Sequence, residues 1–166
     1  MFTFAESANI RPYIVVNKSD LTESAAFLQQ INKLYHDKLG YAVISLSAKT
    51  NCDSLVSLLK NEQSLLIGQS GVGKSTITNR IIPQAFTSVN DITKSENSGR
   101  HTTTNATLYH IDKTSSIIDC PGLQEFGLYH LSVEELPELF PELRTYINKC
   151  RFRNCRHLNE PDCAIV

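Results

Sequence analysis

The sequence predicts an α/β fold: a sheet between helices in three layers, with a small cysteine-rich knuckle at its carboxyl end. Three observations predict it. Short apolar runs alternate with helix-like stretches, the pattern of strands that bind ligands at their carboxyl ends. One run leads directly into a glycine-rich loop at Gly68–Ser75, and a helical stretch follows it. Three cysteines and a histidine crowd the last part of the chain.

The elements follow in order. Tyr13–Val16 is a short apolar run ending in polar residues, a buried strand that opens into a loop. Leu21 to Leu39 has helical spacing, with Ala26, Phe27, Ile31, Leu34 and Tyr35 on one face and Gly40 as its stop. Ala42 to Leu46 reads as a second strand, and Leu55, Val56, Leu58 and Leu59 mark a short helix. Ser64 to Ile67 is a third strand, and Thr76 to Ile82 is a helix that Pro83 ends. The polar stretch 84–105 reads as a mobile loop. Ala106–Ile111 and Ser115–Ile118 are two strands joined at Asp112-Lys113-Thr114. Val133 to Ile147 reads as helical, interrupted by Pro137 and Pro141.

With 166 residues, 41% hydrophobic and 20% charged, the chain suits one soluble globular domain with a small appendage. A net charge of −1 excludes whole-chain attraction to nucleic acid, so any such contact needs a local patch. No apolar run approaches the roughly 20 residues of a membrane span, and no signal peptide is visible. No membrane contact is expected. Of the five cysteines, clustered Cys150, Cys155 and Cys163 favour metal over disulfides. Cys52 and Cys120 read as free thiols.

The chemistry is concentrated in three short segments. Gly68-Gln69-Ser70-Gly71-Val72-Gly73-Lys74-Ser75 fits Gly-x4-Gly-Lys-Ser. Its glycines let backbone N–H groups converge on a phosphate, and the following helix adds its positive end. Lys74 is placed for the β and γ phosphates, Ser75 for Mg²⁺ and Thr76 for the α phosphate. Asp119-Cys120-Pro121-Gly122 follows an apolar run. There Asp119 would act through a Mg²⁺-bound water, and the Gly122 N–H would sense the γ phosphate.

Asn17-Lys18-Ser19-Asp20 selects the base. The Asp20 carboxylate can accept from guanine N1–H and the exocyclic amine together, a donor pair that adenine lacks. Pairing of that kind can discriminate by about 10⁴. Asn17 braces the loop, the Lys18 stem covers the base, and Ser47-Ala48-Lys49 supplies the Ala48 N–H to guanine O6. Asp20 also suits the cap of the helix that follows. Guanine rather than adenine sets aside a P-loop ATPase or kinase.

In Gly99-Arg100-His101-Thr102-Thr103-Thr104, a threonine would complete Mg²⁺ coordination, Thr102 before Thr103. Many GTPases carry a water-orienting glutamine after the Asp-x-x-Gly motif; here that position is Leu123, with Gln124 one residue late. Slow intrinsic hydrolysis is expected. His101 is the candidate within the chain to position the water, against a reading as a solvated loop histidine. His36, His110 and His130 read as structural or surface residues. Gly71 stands where some potassium-activated GTPases carry asparagine, so that activation is not expected.

Cys150-x4-Cys155-x-His157-x5-Cys163 offers three thiolates and one imidazole, a closed tetrahedral set suited to one structural Zn²⁺. Arg144, Lys149, Arg151, Arg153 and Arg156, with Phe152 among them, form either an RNA-binding patch or a solvated charged face.

The base segments precede the phosphate loop, the reverse of an ordinary GTPase. Together with 68–75, Gly99–Thr104, Glu125-Phe126-Gly127-Leu128 and the cysteine set ending in Pro161-Asp162-Cys163-Ala164-Ile165, that order resembles the RsgA (YjeQ) circularly permuted GTPases. The resemblance implies a P-loop NTPase fold, with a GTPase domain over 1–148 and a zinc knuckle over 149–166. It implies GTP hydrolysis stimulated by the small ribosomal subunit and its rRNA during late maturation, in the cytoplasm, by a monomer. The family's amino-terminal OB-fold, one strand before Tyr13 and a helical segment after the knuckle have no counterpart in the sequence. A fragment is therefore expected, with a gap in the sheet between the strand at 64–67 and the strand before Asn17. A GTP/GDP-gated rRNA-binding module with negligible turnover is the alternative.

Overall fold

A computed structural model describes residues 1–83, 106–120, 131–132 and 135–165. The chain divides into two compact units: Met1–Tyr13, Asn32–Ala42 and Phe126–Val166 in one, Ile14–Ile31 and Val43–Glu125 in the other.

The second unit carries most of the regular structure. Its elements are strand β1 (Tyr13–Val16), helix α2 (Ser24–Ile31), strand β2 (Ala42–Ser45), helix α3 (Asp53–Leu59), strand β3 (Gln63–Leu66), helix α4 (Lys74–Ile81) and strands β4 (Thr107–His110) and β5 (Ser116–Asp119). β1 and β2 reach back by one residue into the first unit. Among the described residues the strands form two sheets, β1-β2 and β3-β5-β4. The sheet is thus interrupted between β1 and β3, where the sequence led us to expect a gap. β3 and β5 run parallel, with Leu66 beside Asp119, and β4 and β5 run antiparallel. That register brings the end of β3 and Asp119 out side by side. Leu46, Ala48, Cys52, Leu55, Leu59, Ile77 and Ile117 form the core, with Val15, Ile44, Leu66, Ile81 and Ile111 packed against it.

The stretch 21–39 is not one regular helix. α2 passes into a π-helical turn at Asn32–His36, where Asp37 N–H donates to the Asn32 carbonyl at 2.9 Å. Phe27 and Leu34 lie about half exposed, at 54% and 50%, and Ala26 is exposed too. The partly buried apolar positions are Leu28, Ile31, Tyr35 and Leu39. Of the expected face, Ile31 and Tyr35 are thus partly buried while Ala26, Phe27 and Leu34 are exposed.

In the first unit, helix α1 (Phe2–Ser7) has no side-chain cap and no sequence signal. Tertiary contacts hold it. The Phe2 ring stacks on Tyr41 at 4.9 Å and meets Tyr35 at 5.6 Å. Glu6 accepts from the Tyr41 hydroxyl at 2.9 Å and from Arg144 at 2.5 Å. Burial pushes the Tyr41 phenol up to about 12, and the Glu6 bond adds to it. Burial pushes Glu6 upward as well, but the Arg144 and Tyr41 bonds outweigh it and leave the carboxyl lowered. Among the described residues, the expected helix over 133–147 is two short 3₁₀ turns, Leu136–Leu139 and Arg144–Tyr146, with Pro137 inside the start of the first and Pro141 in the break between them. Among the described residues no helix is long and apolar enough to cross a membrane.

Candidate functional site: two clamped loops and a cysteine knuckle

β3 opens into the phosphate loop, and α4 starts at Lys74. Gly71 (φ 81°) and Gly73 (φ 100°) are left-handed, and Gly73 is the α4 N-cap. A Cβ on Gly73 would also run into the Asn17 side-chain amide, so glycine is required there twice over. Lys74 Nζ lies across the loop and donates to the Gly68 and Gln69 carbonyls at 2.7 and 3.2 Å. Ser75 and Thr76 sit exposed on the first turn of α4, and Ser70 is exposed on the loop. Asp119, at the end of β5, is half-buried. Burial raises its pKa, while the Lys74 charge and a Thr78 hydrogen bond pull it down.

The base loop grips this phosphate loop. Asn17 Nδ2 donates to the Val72 carbonyl at 3.0 Å, and Lys18 Nζ donates to the Gly71 carbonyl at 2.9 Å. Asn17 Oδ1 accepts from the Lys18 N–H at 2.8 Å and from the Ala48 N–H at 3.0 Å. Lys18 itself is left-handed, at φ 65°. The exposed Asp20 carboxylate accepts from the Ser47 hydroxyl at 2.6 Å, and that bond, with help from Lys49 and Lys18, lowers its pKa. Ser19 N–H donates to the Leu46 carbonyl at 3.1 Å. Ser47 and Ala48 are buried and Lys49 is exposed. The Ser47 carbonyl closes its loop by accepting from Thr50 and Asn51 N–H at 3.0 and 2.9 Å.

Two residues went unnoticed in the sequence. Thr78 lies one turn beyond Lys74, donates its hydroxyl to the Lys74 carbonyl at 3.1 Å and helps to lower the Asp119 pKa; i, i+4 spacing could have placed it beside Lys74. Arg80 donates to the Thr50 carbonyl and ties α4 to the Ser47 loop; no sequence signal marks it. His101, Thr102, Thr103, Gly122, Leu123, Gln124 and His130 lie outside the described residues.

In the first unit, Cys150, Cys155, His157 and Cys163 converge, with all four ligand atoms within 4.8 Å of one another. His157 Nδ1 is 3.5 Å from Cys150 Sγ and 3.4 Å from Cys163 Sγ, and those two sulfurs are 4.0 Å apart. A tetrahedron built on metal–sulfur and metal–nitrogen lengths of about 2.3 and 2.0 Å has edges of about 3.8 and 3.5 Å. The set therefore fits a single metal ion. Ala164 and Ile165 N–H groups donate to Cys150 and Cys163 sulfurs, both at 3.4 Å. Desolvation and the neighbouring thiols push Cys155 up to about 11, a cost that a bound cation reverses.

The basic residues around the knuckle are all exposed, and two of them have acidic partners. Arg144 is turned to Glu6 and to the Glu138 carbonyl. Arg151 pairs with Asp162 at 2.9 Å and stacks over Phe152 at 5.5 Å. Lys149, Arg153 and Arg156 remain exposed.

The model of a known family, RsgA GTPase, matches residues 1–129. The chain belongs to the RsgA GTPase family. Relatives named small ribosomal subunit biogenesis GTPase RsgA include one from Neisseria gonorrhoeae, 46% identical over 160 residues, covering 96% of this chain and 52% of the relative. Another, from Nitrosospira multiformis, is 45% identical over 162 residues, covering 98% and 51%. The solved structure of YjeQ from Thermotoga maritima matches with a TM-score of 0.72 at 28% identity, covering 99% of this chain and 54% of that one. YloQ, described as a circularly permuted GTPase, matches at 0.67 and 29%, covering 99% and 52%. The chain thus spans about half the length of the curated relatives it matches. The RsgA match includes both clamped loops and Asp119 and stops short of the knuckle, which stands on its own geometry.

Proposed function

We propose that this chain is the nucleotide-binding part of a GTPase that acts in late maturation of the small ribosomal subunit, in the cytoplasm, as a monomer. Residues 1–148 serve the nucleotide and 149–166 form a zinc knuckle. The observation that carries the reading is the clamp: Asn17 and Lys18 hold the Val72 and Gly71 carbonyls, so base and phosphate subsites form one cradle.

In this reading Asp20 accepts from the guanine edge, with Ser47 holding its carboxylate in place. The Ala48 N–H exchanges Asn17 Oδ1 for guanine O6. Lys74 exchanges its loop carbonyls for the β and γ phosphates, Ser75 and Thr102 hold Mg²⁺, and Asp119 acts through a bound water. Mg²⁺ held by Ser75 and Thr102 would supply positive charge against the charge that develops on the phosphates. Gly122 senses the γ phosphate, and His101 or a group on the ribosomal subunit positions the water. The exposed Lys149, Arg153 and Arg156 face rRNA.

Two measurements test this. Nucleotide competition against labelled GDP should favour GTP over ATP by at least about 10³-fold, and Asp20→Asn should shift preference toward xanthine nucleotides. Equal displacement by ATP would refute the base assignment. GTP turnover should rise when small subunits are titrated in. Leu123, in the place of the usual glutamine, favours a second reading, a GTP/GDP-gated rRNA-binding module; tight GTP binding with no stimulated turnover would select it.

A further inference from the structure

One residue of the knuckle is not a ligand, yet it organises the ligands; the inference rests on reading the cysteine set as a zinc site. His157 is left-handed, at φ 60°, a conformation that residues with a Cβ avoid. Its two neighbours share one partner. The Arg156 N–H donates to Glu160 Oε1 at 2.8 Å, and the Leu158 N–H donates to Oε2 at 2.9 Å. The Asn159 N–H joins Oε2 at 3.2 Å.

The carboxylate therefore straddles the histidine and ties down the Cys155–Arg156 and His157–Leu158 peptide planes on either side of it. That sets where the imidazole points, which is toward Cys150 and Cys163 at 3.5 and 3.4 Å. No described residue from 131 to 165 is fully buried, so hydrophobic packing does not hold this turn. We propose that Glu160 is the positioning residue of the metal site: it biases the 155–159 turn toward its ligating shape, so that the metal has to supply less of that order. The ionised form persists wherever thiolates exist, because those N–H groups hold the Glu160 carboxyl down to about 2.

Zinc affinity of the whole chain, measured by chelator competition, tests this. Glu160→Gln keeps the size but turns an amide N–H₂ toward a backbone donor, and should weaken zinc about 10–100-fold. Glu160→Asp is too short to span both neighbours and should weaken it as well. At saturation the cobalt(II) thiolate band should match that of the unaltered chain, because the four ligands are unchanged, and GDP affinity is the folding control. Equal zinc affinity in Glu160→Gln would overturn the proposal, as would a changed cobalt spectrum. If Glu160→Gln failed the folding control, Glu160→Asp would decide by the same criteria. An unaltered chain that bound no zinc would instead defeat the metal reading itself.

Discussion

The nucleotide cradle and the cysteine knuckle are built on opposite terms. The cradle rests on an apolar core from Leu46 to Ile117, and its loops are tied to one another by Asn17, Lys18, Ser47 and Arg80. The knuckle contributes no fully buried residue among those described. Its order comes from four converging ligand atoms, one carboxylate and the Arg151–Asp162 pair. A site with a core beneath it can be shaped before its ligand arrives. A site without one needs the ligand, because a metal contributes roughly 10–16 kcal/mol where packing offers little.

The largest expected effect separates the two regions. Removing metal with a chelator, or replacing Cys155 by Ser, should abolish amide-exchange protection over 150–163 while GDP affinity changes less than about twofold. Protection that survived chelation would erase the contrast. Next is Lys74→Ala, which removes the cation from the cradle and should weaken GTP by about 100-fold or more in a nucleotide titration.

Gly73→Ala should weaken GDP by about 10-fold, since left-handed strain of about 1–2 kcal/mol adds to displacement of Asn17. Gly71→Ala sharpens the point. A Cβ there meets nothing within 4 Å, so it should show the strain alone and the smaller loss. If the two variants weakened GDP equally, the Asn17 contact would carry no weight.

The smallest effect lies outside both sites. Glu6→Gln should cost about 1 kcal/mol by urea unfolding at pH 7. Because the folded Glu6 pKa is lowered, its contribution is present above the unfolded carboxylate value of about 4.3 and fades as pH falls through the folded value. The two proteins should converge in acid; a difference that persisted there would point to packing instead of charge.

The cradle was legible because its chemistry is local. A strand, a glycine turn and a helix in succession specify a phosphate loop wherever they occur, and the structure places β3, Gly68–Gly73 and α4 accordingly. The cysteine spacing was legible for the same reason. The break between β1-β2 and β3-β5-β4 was expected only through the family resemblance, from the strand before Tyr13 that has no counterpart in the sequence. What failed was long-range or cooperative. Helix α1 exists because Phe2 meets Tyr41 and Glu6 meets Arg144, 138 residues away, and periodicity showed neither the π turn at Asn32–His36 nor the half-exposure of Phe27 and Leu34.

By itself, then, the sequence determined which groups are proposed to meet a guanine nucleotide and which converge as a candidate metal set, since those groups declare themselves by type and spacing. Only the tertiary structure decided that Asn17 would hold Val72, that Arg80 would reach Thr50, and that Arg144 and Arg151 would be drawn to Glu6 and Asp162. Such pairings depend on distances through space, and residue order along a chain does not encode those distances locally.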